Sequence, residues 1–495
     1  MKRCAWNVFF LLGILAKGST ACAVQPSILL QTPTFTMYAP PGNIGYLASL
    51  GVAGDVTGDG TPDLGDSNGI FNAADCGLAN PPSWCSGSDI GAWINAAVAA
   101  GAQTIFIPDG TYGWSTSVKI TQSGSQRLTI ECSSRSATLN YTGSGDAVYW
   151  TSTGSPLTQL NLENCTLNGS EAQPGANGIH AYYAQNMRMT NVILEGFPAD
   201  NFLGQGLIGA TLLGDDILQA GQWNLKLEPD TAHSFASNAN RIISGSLQYG
   251  GSGNFWDAGI SSGYGSDTQN GLIGAVMEMS ANVPQFVIEG TWDDYIENSY
   301  IEYINFPTST GNLYSGWVGN YAGSGVGSGS TYTATSFVFR GNYLITPRAA
   351  SSFTTASLFV ANSSNLTVQS ITDEGAPTYG ISFYSSGSNS APFSSQLHVG
   401  WQAALYKNPP ATGWLIQNPG QAVAPGQYQW TSTGPIFGGN SRAGNVTVTG
   451  AASSGCSGIT FGSTTVGAAS CGSLSGAAGC RVECIGGVLH YEPYW

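Results

Sequence analysis

The chain has 495 residues, 68 of them Gly, which is about twice the ordinary usage, and only 9 % of its residues are charged. The low charge density at an ordinary apolar content excludes a disordered chain, the dominance of Gly, Ser, Thr and Asn excludes a coiled coil, and the lack of a three-residue Gly period excludes collagen. With 14 basic against 29 acidic residues the net charge is −15, which argues against nucleic acid and anionic membrane surfaces as partners.

The N-terminus carries Lys2-Arg3, an apolar run from Val8 to Ala16, and Ala21-Cys22-Ala23. A basic start, a short apolar core and an A-x-A site read as a secretory signal peptide over 1–23. Cys22 offers lipid attachment as the alternative, but Ser19 stands where an aliphatic residue is expected. Loss of Lys2, Arg3 and Lys17 with this segment takes the net charge from −15 to −18. No later segment is long and apolar enough to span a bilayer. The mature chain keeps an even set of cysteines, and in an oxidising compartment these are expected to form disulfides. Closeness in sequence suggests Cys76 with Cys85; the pairing of Cys132, Cys165, Cys456, Cys471, Cys480 and Cys484 stays open. His180, His233, His398 and His490 have unrelated spacings, which argues against zinc.

Residues 24–88 read as irregular and rich in Pro, Gly and Asp. Within them, Asp55, Thr57, Asp59, Thr61, Asp63 and Asp66 place oxygen ligands as a calcium loop does, with Gly60 at the sharp turn. The competing reading is a plain Asp-Gly turn, since no helix pattern flanks the loop. Calcium, if bound there, is a structural ion. Ser88 or Asp89 then caps a helix whose Ile90, Trp93, Ile94, Ala97 and Val98 form one apolar face and which Gly101 ends. A strand, Thr104 to Ile107, and a turn at Pro108-Asp109-Gly110 follow.

From about 116 to 400, short apolar segments such as Leu128-Thr-Ile, Leu160-Asn-Leu and Phe286-Val-Ile recur, separated by Gly-, Ser- and Thr-rich turns, with Asn161, Asn164, Asn191, Asn298, Asn342 and Asn365 beside them. Such strands suit a β-sandwich series or a parallel solenoid; the length favours the solenoid, which needs no closure. A β-propeller or sandwich is the rival. The helix would cap the first coil. Residues 406–495 change style, with Pro409-Pro410, a Gly/Ser/Ala run and late cysteines, and the end reads as a hairpin turning at Gly486-Gly487.

Gly58-Asp-Gly-Thr-Pro-Asp63, Asp89-Ile-Gly-Ala-Trp-Ile-Asn-Ala-Ala-Val98 and Ile105-Phe-Ile-Pro-Asp-Gly-Thr-Tyr112 together resemble the opening of the pectate-lyase-like, right-handed parallel β-helix superfamily. The resemblance covers roughly 50–400 and departs from the pattern by an insertion at 67–88. It implies an all-β protein with a helical N-terminal cap and a right-handed parallel β-helix over 89–405, while the change of style beyond it reads as a small disulfide-tied C-terminal β module over 406–495. It also implies a carbohydrate-facing surface more than a particular reaction, because lyases, hydrolases, epimerases, tailspike depolymerases and non-catalytic surface proteins share the fold.

Glycoside hydrolysis needs two carboxylates in different protonation states. Gly214-Asp215-Asp216 resembles the Gly-Asp-Asp step of polygalacturonase-like hydrolases, with Asp200 before it and His233 after it, both closer than a full coil; the flanking family motifs are absent. Asp293-Asp294 after Trp292 is the second acidic pair, with Glu297 near, and Glu228 and Asp230 lie between the pairs. The competing reading of all these residues is polar turns. Calcium-assisted elimination needs a basic residue, and Arg188, Lys226, Arg241, Arg340 and Arg348 are the internal candidates. Trp223, Trp256, Tyr264, Trp292, Tyr295 and Arg241 are the candidate sugar contacts. The expectation is a secreted polysaccharide-binding protein that degrades its ligand through paired Asp. Calcium-assisted lyase and non-catalytic adhesin readings stay open, and the sequence leaves the oligomeric state undetermined.

Overall fold

The computed structural model describes residues 70–77, 85–153, 158–259, 267–279, 282–304, 313–319, 321, 334–347, 355–361, 363–364 and 366–375, with the strands Tyr379–Phe383, Leu397–Gly400, Trp414–Gln417, Tyr428–Gln429, Gly479–Ile485 and Val488–Tyr494. The signal peptide, the calcium loop 55–66, Tyr264 and Arg348 lie outside the described residues.

The expected helix spans Ile90–Ala99. Asp89 Oδ1 accepts the Ala92 N–H at 2.9 Å as its N-cap. The other oxygen accepts the N–H groups of Ser115 and Thr116 at 2.9 and 3.1 Å, so one carboxylate ties the helix start to the first coil. Ile90, Gly91, Ile94 and Ala97 are buried, while Trp93 and Val98 pack partly buried against the same core. Gly101 follows at φ +92°, a conformation that suits Gly. The helix lies against the strands Gly110–Trp114 and Val118–Ser123.

From Thr104–Ile107 to Tyr379–Phe383 the chain visits three sheets in rotation, and each strand of these sheets pairs in parallel with the strand one coil away. The first sheet has 13 strands, from Ile70–Asn72 to Tyr428–Gln429; the second has 10, from Gly110–Trp114 to Thr372–Asp373; the third has 11, from Val118–Ser123 to Trp414–Gln417. This is the parallel β-helix expected from the sequence. A sandwich or propeller would need antiparallel neighbours. Among the described residues no helix is long and apolar enough to cross a membrane.

Apolar side chains stack in register inside. The first sheet contributes the buried column Ile105, Ile130, Leu162, Met189, Leu212, Ile242, Leu272, Ile296, Phe339 and Val368. Each coil alone leaves this face open to water, and stacking closes it.

The bends repeat as strictly as the strands. Between the first and second sheets, Asn164, Asn191, Gly214, Ser244, Gly274, Asn298, Gly341 and Ser370 all take left-handed φ of 51 to 69°. Asn tolerates this region better than most residues, which explains the Asn beside the apolar segments. Between the third and first sheets, Asn186, Gly209, Ala239, Gln269, Asp293 and Ser336 do the same, at 57 to 70°. A third ladder runs inside the bend before the third sheet. There Asn201, Asn224, Asn254 and Gln285 pass a side-chain hydrogen bond from coil to coil at 2.9, 2.7 and 3.0 Å.

Two boundaries are corrected. The segment 24–88 is not wholly irregular, because Ile70–Asn72 pairs with Thr104–Phe106 and opens the first sheet. The coils also do not stop at 405, because Trp414–Gln417 pairs with the third sheet and Tyr428–Gln429 with the first. Gly479–Ile485 and Val488–Tyr494 form the expected antiparallel hairpin. Cys76 joins Cys85 as expected, and Cys132 joins Cys165 across adjacent coils.

Candidate functional site

The sequence-derived carboxylates fall on two different bends. Gly214 is the left-handed residue of its bend, and Asp215 behind it turns inward, where Oδ1 accepts the Val192 N–H of the preceding coil at 2.8 Å. Burial pushes the Asp215 carboxyl up to about 7. Asp216 opens a strand of the second sheet and binds Arg135 Nη1 at 2.6 Å. Asp293 is the exposed left-handed residue of the bend into the first sheet, and Asp294 turns inward to accept the Asn270 N–H at 2.9 Å. Asn240, Asn270, Ser299 and Asn342 hold the same inward position and make the same bond to the coil before. Asp215 and Asp294 are therefore rungs of the bend ladders, and the structure does not bring the two pairs together. Trp292 is 54 % exposed on the second of these bends. Arg241 and Tyr295 share an outward column of the first sheet, with Gly271 between them leaving room for the Tyr295 ring.

Trp223 and Trp256 do come together, ring centres 5.2 Å apart, on the outer face of the third sheet, and His233 stands at that sheet's exit. One outward column there reads Tyr149, His180, Leu203, Lys226, Trp256, Val287, Trp317 and Phe359, and the next reads Tyr182, Gln205 and Glu228. The strand Trp223–Glu228 shows how sequence builds this face: Leu225 and Leu227 point inward, so Lys226 and Glu228 must point out. Lys226 Nζ binds Glu228 at 2.6 Å and sits 4.8 Å from the centre of the Trp256 ring, a cation–π contact.

Asp200 stands at the entry edge of this face, 5 % exposed, with Oδ1 accepting the Trp223 N–H at 2.9 Å. Burial pushes its carboxyl up to about 6 against the pull of that hydrogen bond and of Lys226, and Glu228 is close enough to raise it further. Asp146, one edge away, binds His180 Nδ1 at 2.9 Å and Asn177 at 2.7 Å. Burial alone would raise Asp146, but these hydrogen bonds outweigh it and hold the group below the usual carboxylate range. Glu289 lies beside the Trp256 indole, accepts the Tyr321 N–H at 2.6 Å, and is pushed up to about 7 by burial. Trp223, Val287, Tyr314, Trp317, Ala356 and Phe359, with Trp256 and Tyr321 against them, form an apolar cluster outside the solenoid that walls this end of the face.

At the exit, Asp230 is buried and binds His233 Nδ1 at 2.5 Å and the Tyr182 hydroxyl at 3.1 Å. The face thus combines a buried, raised carboxyl, an outward carboxylate held by an ammonium, and flat aromatic rings. The first two are what a proton-transfer site requires. The role of Lys226 beside Glu228 was legible in the alternation of Leu225-Lys-Leu-Glu228; the burial of Asp200 was not, because it depends on the neighbouring coil. Among the described residues no group of three or more His, Cys, Asp or Glu side chains is arranged to hold a metal ion.

No protein-family model and no curated protein matches this sequence. Solved structures are similar in fold. Geobacillus virus E2 ORF18 is 12 % identical with a TM-score of 0.46, the match covering 74 % of this chain and 62 % of that one. PfbA, a surface adhesin of Streptococcus pneumoniae, is 11 % identical with a TM-score of 0.46, over 63 % of this chain and 88 % of that one. The catalytic domain of a GH87 α-1,3-glucanase in complex with nigerose is 14 % identical with a TM-score of 0.48, over 72 % of this chain and 65 % of that one. The chain thus spans less than two thirds of the length of the first and third of these structures.

Proposed function

We propose that this protein is exported and binds a neutral polysaccharide along the outer face of the third sheet, hydrolysing it with Asp200 as the acid and Glu228 as its ionised partner. The observation that carries the reading is a raised carboxyl and a lysine-paired carboxylate on one face. Asp200 is raised to about 6 by burial, whereas Glu228 is bonded to the Lys226 ammonium at 2.6 Å. Environments that separate two neighbouring carboxyls assign one as proton donor and the other as base or nucleophile. Asp200 protonates the glycosidic oxygen, and Glu228 either attacks the anomeric carbon or takes a proton from the attacking water. The rings of Trp256 and Tyr182 supply apolar surface for sugar faces.

Elimination on an acidic glycan fits this face less well. Asp146, Glu228 and Asp230 would repel a uronate, and Lys226 is engaged by Glu228. Arg188, Arg241 and Arg340 lie on the first sheet. Export rests on the basic-apolar-A-x-A start and is in keeping with the two disulfides.

The test incubates the secreted chain with neutral and acidic polysaccharides, following reducing ends and the absorbance of unsaturated uronates together. Reducing ends without absorbance are expected, with kcat/KM falling as pH rises above about 6, where Asp200 loses its proton. Asp200→Asn and Glu228→Gln should each cost at least about a hundredfold. Hydrolysis that survives both substitutions overturns the assignment, uronate absorbance favours the lyase, and binding without turnover favours an adhesin.

A further inference from the structure

The strand Ile179–Gln185 breaks its inward–outward alternation at Tyr182-Tyr183, where both side chains stand half-buried. Tyr183 takes φ +49°, a strained value for a bulky residue, and drops out of the ladder to the next coil, where Tyr182 pairs with Gln205 and Ala184 with Leu207; its carbonyl accepts the Ser152 hydroxyl of the coil before at 2.9 Å. Gly206, opposite Tyr183, repeats the kink in the next coil at φ +63°, and a Cβ there would stand 2.7 Å from Asp230 Cβ. The kink therefore makes room for a tight loop, closed by the paired bonds Asp230 N–H to Phe235 C=O at 2.7 Å and Phe235 N–H to Asp230 C=O at 2.9 Å. His233 rides on that loop. Its ring stacks on Tyr183 at 4.1 Å and 11°, and its Nδ1 is bonded to buried Asp230, so Nε2 is the nitrogen left to meet a ligand. The His233 side chain remains 44 % exposed. Strain kept in a kink beside two aromatic rings and an oriented imidazole is the signature of a site more than of a turn.

We propose that Tyr182, Tyr183, Asp230 and His233 form a sugar subsite, in which His233 Nε2 accepts a hydrogen bond from a hydroxyl of a neutral glycan lying along the third sheet. It rests on the reading of that sheet as a glycan face. Tyr182 stands two coils, ~10 Å, before Glu228 in one outward column, and Asp230 follows Glu228 along the chain at the exit of the same coil, so the subsite adjoins Glu228. Asp230 is a positioning residue here: it fixes the imidazole tautomer and does not touch the sugar.

The test measures calorimetric affinity for neutral gluco-, manno-, galacto- and fructo-oligosaccharides, using Glu228→Gln protein to prevent turnover, with and without His233→Asn. Asn can replace the Nδ1 bond to Asp230 and so keep the loop, but it removes the distal acceptor. The expected result is about tenfold weaker binding at unchanged Tm, the size of one lost hydrogen bond. Equal affinity with and without the substitution overturns the subsite alone. Lower affinity matched by a lower Tm shows a structural role for His233 and also overturns it. If no neutral glycan binds the protein before His233 is changed, the glycan reading of the sheet fails and the subsite fails with it.

Discussion

Three carboxyls sit inside the β-helix where its columns should be apolar. Asp257 occupies the inward column of the third sheet between Leu227 and Ile288, and Asp267 and Asp294 flank it; none of the three exposes more than 1 % of its surface. Asn270 donates to Asp257 at 2.8 Å, and backbone N–H groups reach Asp267 and Asp294, but among the described residues no Lys, Arg or His pairs with the trio. Burial pushes Asp257 up from 3.8 to about 6 and holds the other two well above the usual carboxylate range, each reinforced by the charge of Asp257. A raised carboxyl contributes stability that is full below its unfolded value and lost as pH rises through the folded one. For Asp257 the loss starts near pH 4 and is complete just above 6, and a shift of about two units amounts to about 3 kcal/mol. Asp257→Asn keeps the shape, still accepts from Asn270, and replaces a buried charge shared with Asp267 and Asp294 by a neutral amide that can donate to them. It is expected to leave stability nearly unchanged at pH 4 and to raise it by about 3 kcal/mol at pH 8, a few degrees in Tm. Scanning calorimetry of both proteins from pH 4 to 9 would show it. Parallel Tm curves across that range, or a variant less stable at pH 8, would refute the argument that the trio carries a net charge cost.

Asp89→Ala removes the helix cap together with the bonds to Ser115 and Thr116, and should cost about 2 kcal/mol in chemical denaturation. Burial raises the Asp89 carboxyl, but its hydrogen bonds outweigh that and hold it below 3.8, so its contribution is present above pH 4 and fades on acidification below it. Asn254→Ala strips a rung that bonds Asn224, Gln285, Gly250 and Glu278. It should destabilise by about 3 kcal/mol or more while leaving disulfide content unchanged, as read by melting and thiol titration.

The architecture was legible because it rests on local rules. The capped helix at Ile90–Ala99, the strand Thr104–Ile107, the turn at 108–110 and the Cys76–Cys85 link follow from capping, alternation and short spacing. Coil register was less legible. The first-sheet column steps from Ile130 to Leu162, then to Met189 and Leu212, at unequal intervals, so no fixed period announces which residues share a level.

Register is also what separates the inward, hydrogen-bonding carboxyls from the outward ones here. An Asp directly after a left-handed residue has its side chain turned inward onto the previous coil's N–H, as Asp215 follows Gly214 and Asp294 follows Asp293. Gly-Asp-Asp is one sequence that satisfies such a bend, so the motif that drew attention to 214–216 is accounted for by the backbone before any substrate is considered. An acidic residue at an outward strand position has no such duty. Glu228 reaches the surface only because Leu225 and Leu227 face the core, and its partner Lys226 is fixed by the same alternation. Asp200 bridges the two classes: one oxygen accepts the Trp223 N–H as a rung would, yet burial leaves the carboxyl protonatable near neutral pH beside Lys226 and Glu228. In a parallel β-helix the bends consume acidic residues for hydrogen bonding, and the outward columns of one sheet are where unspent carboxyls can do chemistry.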